Sequence, residues 1–347
     1  MKVLLANAPN DLRVVDMPVP SIGPRDVLCK VAHAGICATD IAIAKGTLTL
    51  GDGMDPIYPV RLGHEWSGVV VEVGSETRRL KAGDRVISDT GYSCGECEQC
   101  LKGEYQNCEY GRAIGTITNC WPGAFAEYMM LPERLLFNVA DNVPLDEAAV
   151  IEPASIGLYG LVRAGIYPDL TLLVVGTGPI TLGGMACARA MGIGKIMLAG
   201  RKQKKLEIGK KLGADVIIDL TRESLLDAVM EHTSGKGADI VLDGTGAPEF
   251  FNDSMLAVRS SGKLVIPGFY EQELNHVKLD RIIARNVTLI GAAGTPNMGR
   301  KILSLMELGR LDLTPMITDR FPFSDVVTAF DAVTKRNDSR VKVMVDF

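Results

Sequence analysis

Four cysteines, Cys94, Cys97, Cys100 and Cys108, stand within fifteen residues of a 347-residue chain that has eight cysteines in all. Cys-Gly-Glu-Cys-Glu-Gln-Cys, then seven residues, then Cys places four soft, charged donors on one short excursion. Such a set can surround a zinc ion tetrahedrally and leave no open position, which defines a structural site. The alternatives are reduced thiols in a surface loop, which would expose reactive sulfurs for no gain, and a redox pair of Cys97 and Cys100. The crowding of half the cysteines into one segment argues against a disulfide framework.

A second set is dispersed: Cys37 in GICATD, His64 and Glu65 in LGHEWSG, and Glu152 in IEPAS. Taken singly, each has a plain reading, the cysteine as a small buried hydrophobe and the glutamate as a solvated helix residue. His64 is one of only four histidines, and it stands with Glu65 between glycines just before a strand-like run. Spacing leaves a catalytic metal site and ordinary core residues both open.

The third motif is TLLVVGTGPITLGG, an apolar run followed by Gly176, Gly178, Pro179 and Ile180 and then a helix. Glycines at the turn let backbone approach a pyrophosphate, and the helix N-terminus offers it unpaired amides and a positive dipole end. The flanking strand and helix supply the context that this fingerprint requires. Its third position holds Thr181, where Gly or Ala is usual, which predicts slightly looser packing of the helix on the strand. About twenty residues on, NAD-binding chains carry an acid that accepts hydrogen bonds from the ribose hydroxyls. Here that position is Gly200, followed by Arg201 and Lys202, with Lys205 beyond. Glycine makes room for a 2′-phosphate, arginine bonds one through a planar fork, and lysine adds charge. NADP is therefore expected to be favoured over NAD. The competing reading is a solvated, basic helix start.

These residues need a scaffold, and the sequence has two textures. From Met1 to about Pro144 the apolar runs are short, Val-rich and broken by Gly and Pro, as in a mostly β domain. From about Leu170, strand-like runs (TLLVV, KIMLA, VIID, IVLDG, KLVIPG, VTLIG) alternate with helix-length segments, which builds a parallel sheet covered by helices. After about Gly294 come a helix, MGRKILSLMELGR, and a final strand, VKVMVDF, that could rejoin the first domain. The expected division is residues 1–150 with 290–347 in one domain and 151–289 in the other. The 37 Lys+Arg against 42 Asp+Glu give a net charge of -5, which provides no basic field for nucleic acid. No apolar run reaches the roughly 18 residues of a membrane span, and MKVLLANAPNDLR is too briefly apolar for a signal peptide, so a cytoplasmic location is expected.

Together the three motifs resemble the zinc-dependent medium-chain dehydrogenases, most closely the sorbitol and polyol dehydrogenase branch, from end to end of the chain. GICATD resembles that family's Cys-Gly-Ser/Thr-Asp segment, LGHEWSG its Gly-His-Glu segment, the four cysteines its structural-zinc lobe, and EPAS its Glu-Pro pair. VVGTGPI and DGTGAPE resemble two cofactor-domain signatures. The resemblance implies an α/β Rossmann domain with a six-stranded parallel sheet, joined to a mostly β, GroES-like catalytic domain. It implies two zinc ions per chain, with Cys37, His64 and Glu65 as ligands or near-ligands of the catalytic one and Glu152 as a ligand directly or through water. Thr39, at the family's hydroxyl position, would take the proton of the substrate hydroxyl, with Glu65 and Glu152 as its catalytic neighbours. Further cofactor contacts are implied at Thr245, Gly268, Phe269 and Ala292, and a homodimer or homotetramer is implied as the assembly.

The implied reaction is hydride transfer between NAD(P) and a secondary alcohol of a polyol, cyclitol or sugar alcohol, or the matching ketone. Two departures stand out. Ala42 stands where the family often has His, so a relay beyond Thr39 would run through water or cofactor ribose, and Gly291-Ala-Ala-Gly-Thr295 replaces an aromatic and Arg-containing substrate segment, so sorbitol itself is not implied. An amino-alcohol dehydrogenase of the threonine type, which LDLTPMITDRF also resembles, is the alternative. A non-catalytic dinucleotide sensor is a more remote one, with no reason to keep metal ligands beside a relay hydroxyl.

Overall fold

A computed structural model describes residues 1–50, 55–117, 120–270, 274, 276–335 and 337–347 of the chain. The Val-rich first part forms strands β1 (Lys2–Ala8), β2 (Asp11–Asp16), β3 (Asp26–Ile36), β4 (Val60–Arg61), β5 (Glu65–Val73), β6 (Arg85–Ser88), β7 (Gly91–Tyr92), β8 (Arg112–Ala113), β9 (Tyr128–Pro132) and β10 (Leu136–Asn138). Two helices interrupt them, α1 (Ala38–Lys45) and the four-residue α2 (Glu98–Leu101). Strand β3 is the axis of the main sheet, pairing antiparallel with β5 and with β9. Leu4, Val27, Val31, Trp66 and Phe125 are buried together in one core against these strands.

Helices α3 (Leu145–Ala149) and α4 (Ile151–Ala164) lead into the alternating part: β11 (Thr171–Val175), α5 (Pro179–Ala190), β12 (Lys195–Gly200), α6 (Gln203–Lys211), β13 (Val216–Asp219), α7 (Leu225–His232), β14 (Ala238–Asp243), α8 (Pro248–Ala257), β15 (Val258–Ile266), α9 (Asp280–Arg285) and β16 (Thr288–Gly291). The six strands form one sheet in the order β13-β12-β11-β14-β15-β16, all parallel. That is the doubly wound order, with its reversal point between β11 and β14. Leu172 and Val174 enter the core under α4 and α5, whereas Leu173 and Val175 enter the core on the opposite face. The strand is apolar on both sides because both faces are covered. After α10 (Met298–Glu307) come β17 (Ile317–Pro322), α11 (Val326–Thr334) and β18 (Lys342–Asp346), and β18 pairs antiparallel with β3, so the chain's last strand rejoins the first sheet.

The contact between α4 and α5 is made of backbone. A Cβ on Gly157 would lie 2.3 Å from the Ile180 carbonyl oxygen and 2.8 Å from Gly184 Cα, and one on Gly183 would lie 2.7 Å from Ala154. Thr181 is fully buried, and its hydroxyl donates toward the carbonyls of Gly176 (2.9 Å) and Gly178 (3.0 Å), while Gly183 and Gly184 provide the close approach one helical turn on. Gly157→Ala should therefore lower the free energy of unfolding by about 1–3 kcal/mol through overpacking. Gly178→Ala, whose Cβ meets nothing within 4 Å, should cost less than about 1 kcal/mol. Urea denaturation of both variants checks the contrast.

Candidate active site

In the cysteine lobe, Cys94 and Cys97 lie before α2, Cys100 within it and Cys108 after the following turn. Their four sulfurs come together, with 3.9 Å between Cys94 and Cys100 and 3.9 Å between Cys97 and Cys108. Zn–S bonds of about 2.3 Å at tetrahedral angles require sulfurs about 3.8 Å apart, so the cluster fits a zinc ion. Backbone N–H groups of Glu96 and Cys97 donate to Cys94 Sγ, and that of Cys94 to Cys108 Sγ. Such bonds favour thiolate, and those from Cys100 and Glu109 pull Cys97 down to about 6. Burial pushes Cys100 up to about 12, and side-chain contacts with the other three cysteines add to the rise, so the four sulfurs cannot all ionise easily without a cation. A dication removes that conflict.

The dispersed residues also meet. Ligand atoms of Cys37, His64 and Glu65 all lie within 4.8 Å of one another, with His64 and Glu65 buried. Cys37 sits just before α1, and His64 and Glu65 lie at the entrance to β5, so one helix start and one strand start face each other. Asp40 joins them. Fully buried, it accepts hydrogen bonds from Cys37 N–H (2.9 Å) and Gly63 N–H (3.2 Å), and its Oδ1 lies 3.6 Å from His64 Nδ1. Among the described residues, the histidine Nδ1 has no hydrogen-bond partner. Burial opposes a charged ring, but Asp40 and Cys37 outweigh it and hold His64 well above its ordinary range. Thr39 lies in the first turn of α1, two residues beyond Cys37 and half-buried.

Glu65 is bound from below by a residue far away in sequence. Lys342 Nζ on β18 lies 2.6 Å from Glu65 Oε1 and 3.1 Å from the Ile36 carbonyl, and both side chains are at most 2% exposed. Among the described residues, Glu65 Oε2 has no hydrogen-bond partner. Glu152, the second residue of α4, is buried nearby but outside the compact trio. Its Oε1 accepts from Thr90 Oγ1 at 2.7 Å, and Thr90 in turn lies 3.1 Å from Thr295 Oγ1. Burial pushes Glu152 up to about 6. The site thus concentrates thiol and carboxylate groups against one imidazole and one ammonium, with an orphaned carboxylate oxygen among them. A small, doubly charged cation with mixed N, O and S ligands fits that donor set. Asp40, Lys342, Thr90 and Thr295 were not singled out by sequence. Only Asp40 carried a local signal, an acid three residues after the helix cap, as in a capping box.

The cofactor residues expected from sequence gather at the carboxyl ends of the parallel strands. Gly176 follows β11 with φ +103°, a left-handed conformation that favours glycine, and Gly178 caps α5 with Pro179 in its first turn. Gly200 ends β12, and a Cβ there would lie 2.7 Å from Thr177. Beyond it, Arg201 lies over the Phe250 ring and 3.9 Å from Glu249, while Lys202 is paired with Asp338 at 2.6 Å. Thr245 follows β14, its N–H and hydroxyl both bonded to Asp243 Oδ1, and packs against Gly176. Gly268 and the exposed Phe269 follow β15, and the buried Ala292 follows β16. Such strand ends beside a reversal point are where open α/β sheets bind ligands.

Comparison with known proteins agrees with this architecture. Residues 23–141 match the alcohol dehydrogenase GroES-like domain and residues 179–307 the zinc-binding dehydrogenase domain. The chain is 34% identical to D-arabitol-phosphate dehydrogenase of Enterococcus avium, covering all of this chain and 97% of that one. It is 35% identical to L-idonate 5-dehydrogenase of Vitis vinifera, over 96% and 91% of the two chains. A zinc-binding dehydrogenase from Sinorhizobium meliloti 1021, solved with NADP bound, superposes with a TM-score of 0.91 at 28% identity, covering 100% of this chain and 99% of that one. The protein belongs to the zinc-dependent medium-chain alcohol dehydrogenase family, in its polyol dehydrogenase-like part, and is an oxidoreductase acting on CH–OH groups. Among the described residues, no helix is long and apolar enough to cross a membrane.

The Glu65–Lys342 pair generates a stability prediction. Lys342→Met leaves Glu65 buried without its counter-charge, and removal of one partner of a buried pair costs about 3–5 kcal/mol. Urea unfolding should show a loss of that size. A loss below about 1 kcal/mol would mean that Glu65 does not depend on Lys342.

Proposed function

We propose that this chain oxidises a secondary hydroxyl of a polyol, cyclitol or sugar alcohol, or reduces the matching ketone, with NADP favoured over NAD and two zinc ions bound. The observation that carries the reading is the convergence of half-buried Cys37 with buried His64 and Glu65 near Glu152, on a chain that also presents a glycine turn at a sheet reversal point. The names of the Enterococcus and Vitis relatives support a sugar-alcohol substrate, and the NADP-bound neighbour supports the cofactor.

Cys37 and His64 hold the catalytic zinc, with Glu65 close by and Glu152 reaching it directly or through water; Cys94, Cys97, Cys100 and Cys108 hold the structural one. A zinc ion there supplies Lewis acidity that makes a substrate hydroxyl a stronger acid. The bound dinucleotide supplies the hydride acceptor. Thr39 takes up the hydroxyl proton, and with Ala42 beyond it the onward path runs through water or cofactor ribose. Gly176, Gly178, Pro179 and Ile180 seat the pyrophosphate on the start of α5. Gly200 leaves room for the 2′-phosphate, and Arg201 and Lys202 contact it with Lys205 behind them. Thr245, Gly268, Phe269 and Ala292 line the nicotinamide end. A homo-oligomer is part of this reading: among the described residues β16 pairs only with β15, and Leu289 on it and Ile283 on the neighbouring α9 are exposed, an edge suited to a second copy.

Metal analysis should find two zinc ions per chain. Cys100→Ser should lower the unfolding temperature with one zinc retained, whereas Cys37→Ser should abolish most turnover at nearly unchanged unfolding temperature. Fewer than two zinc ions in freshly purified protein would remove the two-site assignment.

A panel of polyols, cyclitols and amino alcohols assayed with both dinucleotides tests substrate and cofactor together. Polyols should be turned over best and NADP⁺ preferred, and Arg201→Ala should lower the NADP⁺/NAD⁺ ratio of kcat/KM about tenfold, the worth of a charged hydrogen-bonded contact. Turnover of threonine and of no polyol would favour the amino-alcohol alternative instead.

A further inference from the structure

Beside the β12–α6 corner, a groove of about 900 Å³ runs between the dinucleotide sheet and the last part of the chain. Arg201, Lys202, Lys204, Lys335 and Arg340 line it, against two acids, Asp331 and Asp338. Lys202 caps α6 and so belongs to the sheet that carries Gly200, whereas Asp338 lies just before β18, which pairs with β3 in the other sheet. Their ion pair, at 2.6 Å, therefore bridges the two units. Lys205 lies in the same field: burial lowers it first, Lys202 and Arg340 lower it further, and Asp338 opposes them.

We infer that Asp338 is a specificity-determining residue of the cofactor pocket, holding Lys202 across the groove and competing with the 2′-phosphate of NADP for that ammonium. The inference rests on the proposed placement of the 2′-phosphate beside Gly200. A phosphate ester there carries a charge of about −1.5 to −2. Asp338 opposes it twice, by occupying the ammonium that would otherwise face the phosphate and by repelling the dianion directly. NAD presents uncharged hydroxyls at this point and meets neither effect. The pair is partly exposed, with the two side chains 30% and 61% accessible, so its influence is modest and screened by salt. The five cations thus favour NADP, and Asp338 moderates that preference.

The test uses calorimetric titration of the zinc-loaded protein with 2′,5′-ADP and with 5′-AMP, which differ only by the 2′-phosphate, for the parent and for Asp338→Asn. The variant should bind 2′,5′-ADP about three- to fivefold more tightly and 5′-AMP unchanged, the worth of an exposed ion pair, with the gain shrinking as NaCl is raised toward about 0.5 M. If the parent prefers 2′,5′-ADP but the variant binds it equally or more weakly, the role of Asp338 is overturned while the NADP reading stands. If the parent binds 5′-AMP at least as tightly as 2′,5′-ADP, the NADP reading itself fails and the inference falls with it. Asp338 is exposed, so a normal unfolding temperature for the variant is expected and confirms that the comparison is between folded proteins.

Discussion

Asp40 is the residue on which the candidate site depends. A carboxylate with no exposure to water has to satisfy its oxygens within the fold, and this one does so with the backbone N–H groups of Cys37 and Gly63. Those two peptides belong to segments more than twenty residues apart, one entering α1 and the other entering β5. Bonding both to one carboxylate fixes the separation of Cys37 from His64 before any metal is bound. The same carboxylate lies 3.6 Å from His64 Nδ1, on the side where a metal-ligating histidine commonly has an acidic neighbour.

Charge balance sets the next requirement. Asp40, Glu65 and Glu152 are all buried within one region, and a buried carboxylate without compensation is strongly disfavoured. Lys342 compensates one oxygen of Glu65, Thr90 supplies a hydrogen bond to Glu152, and Asp40 faces the His64 ring. The partner of Glu65, Lys342, comes from the chain's last strand, so the return of β18 to β3 is an electrostatic necessity for the site as well as the closure of a sheet. The remaining excess of donor atoms is what suits a dication there. In the cysteine lobe the logic is simpler, because four sulfurs on one excursion need only the local turn to converge.

This difference explains what could be read from the sequence. The cysteine cluster, the glycine turn and the alternating strands are local patterns, and the six apolar runs from TLLVV to VTLIG correspond to β11 through β16. The residues that position the dispersed site are not local. Lys342 is 277 residues from Glu65 and Thr295 is 205 from Thr90, and a buried lysine or threonine has no signature apart from its partner. Asp40 stood inside a quoted motif, but its role appears only when Gly63 is brought beside it. What Thr181 does was equally hidden: its hydroxyl bonds to the carbonyls of Gly176 and Gly178, which becomes visible only once the turn before α5 is folded.

Helix α4 then relates the two halves of the chemistry. Its second residue is Glu152, and one and a half turns on, Gly157 touches Ile180 at the start of the helix that follows the glycine turn. Contact between backbones leaves no side-chain rotamers to adjust, so α4 cannot slide on α5 without a clash. The distance from Glu152 to the glycine turn is accordingly fixed by steric exclusion rather than by flexible side chains. Hydride transfer is sensitive to misplacement on the scale of about 1 Å. One helix carries Glu152 near its start and, further along, the glycine that packs against the helix after the glycine turn, so under the function proposed above the glycines of α4 and α5 set the spacing that the reaction requires.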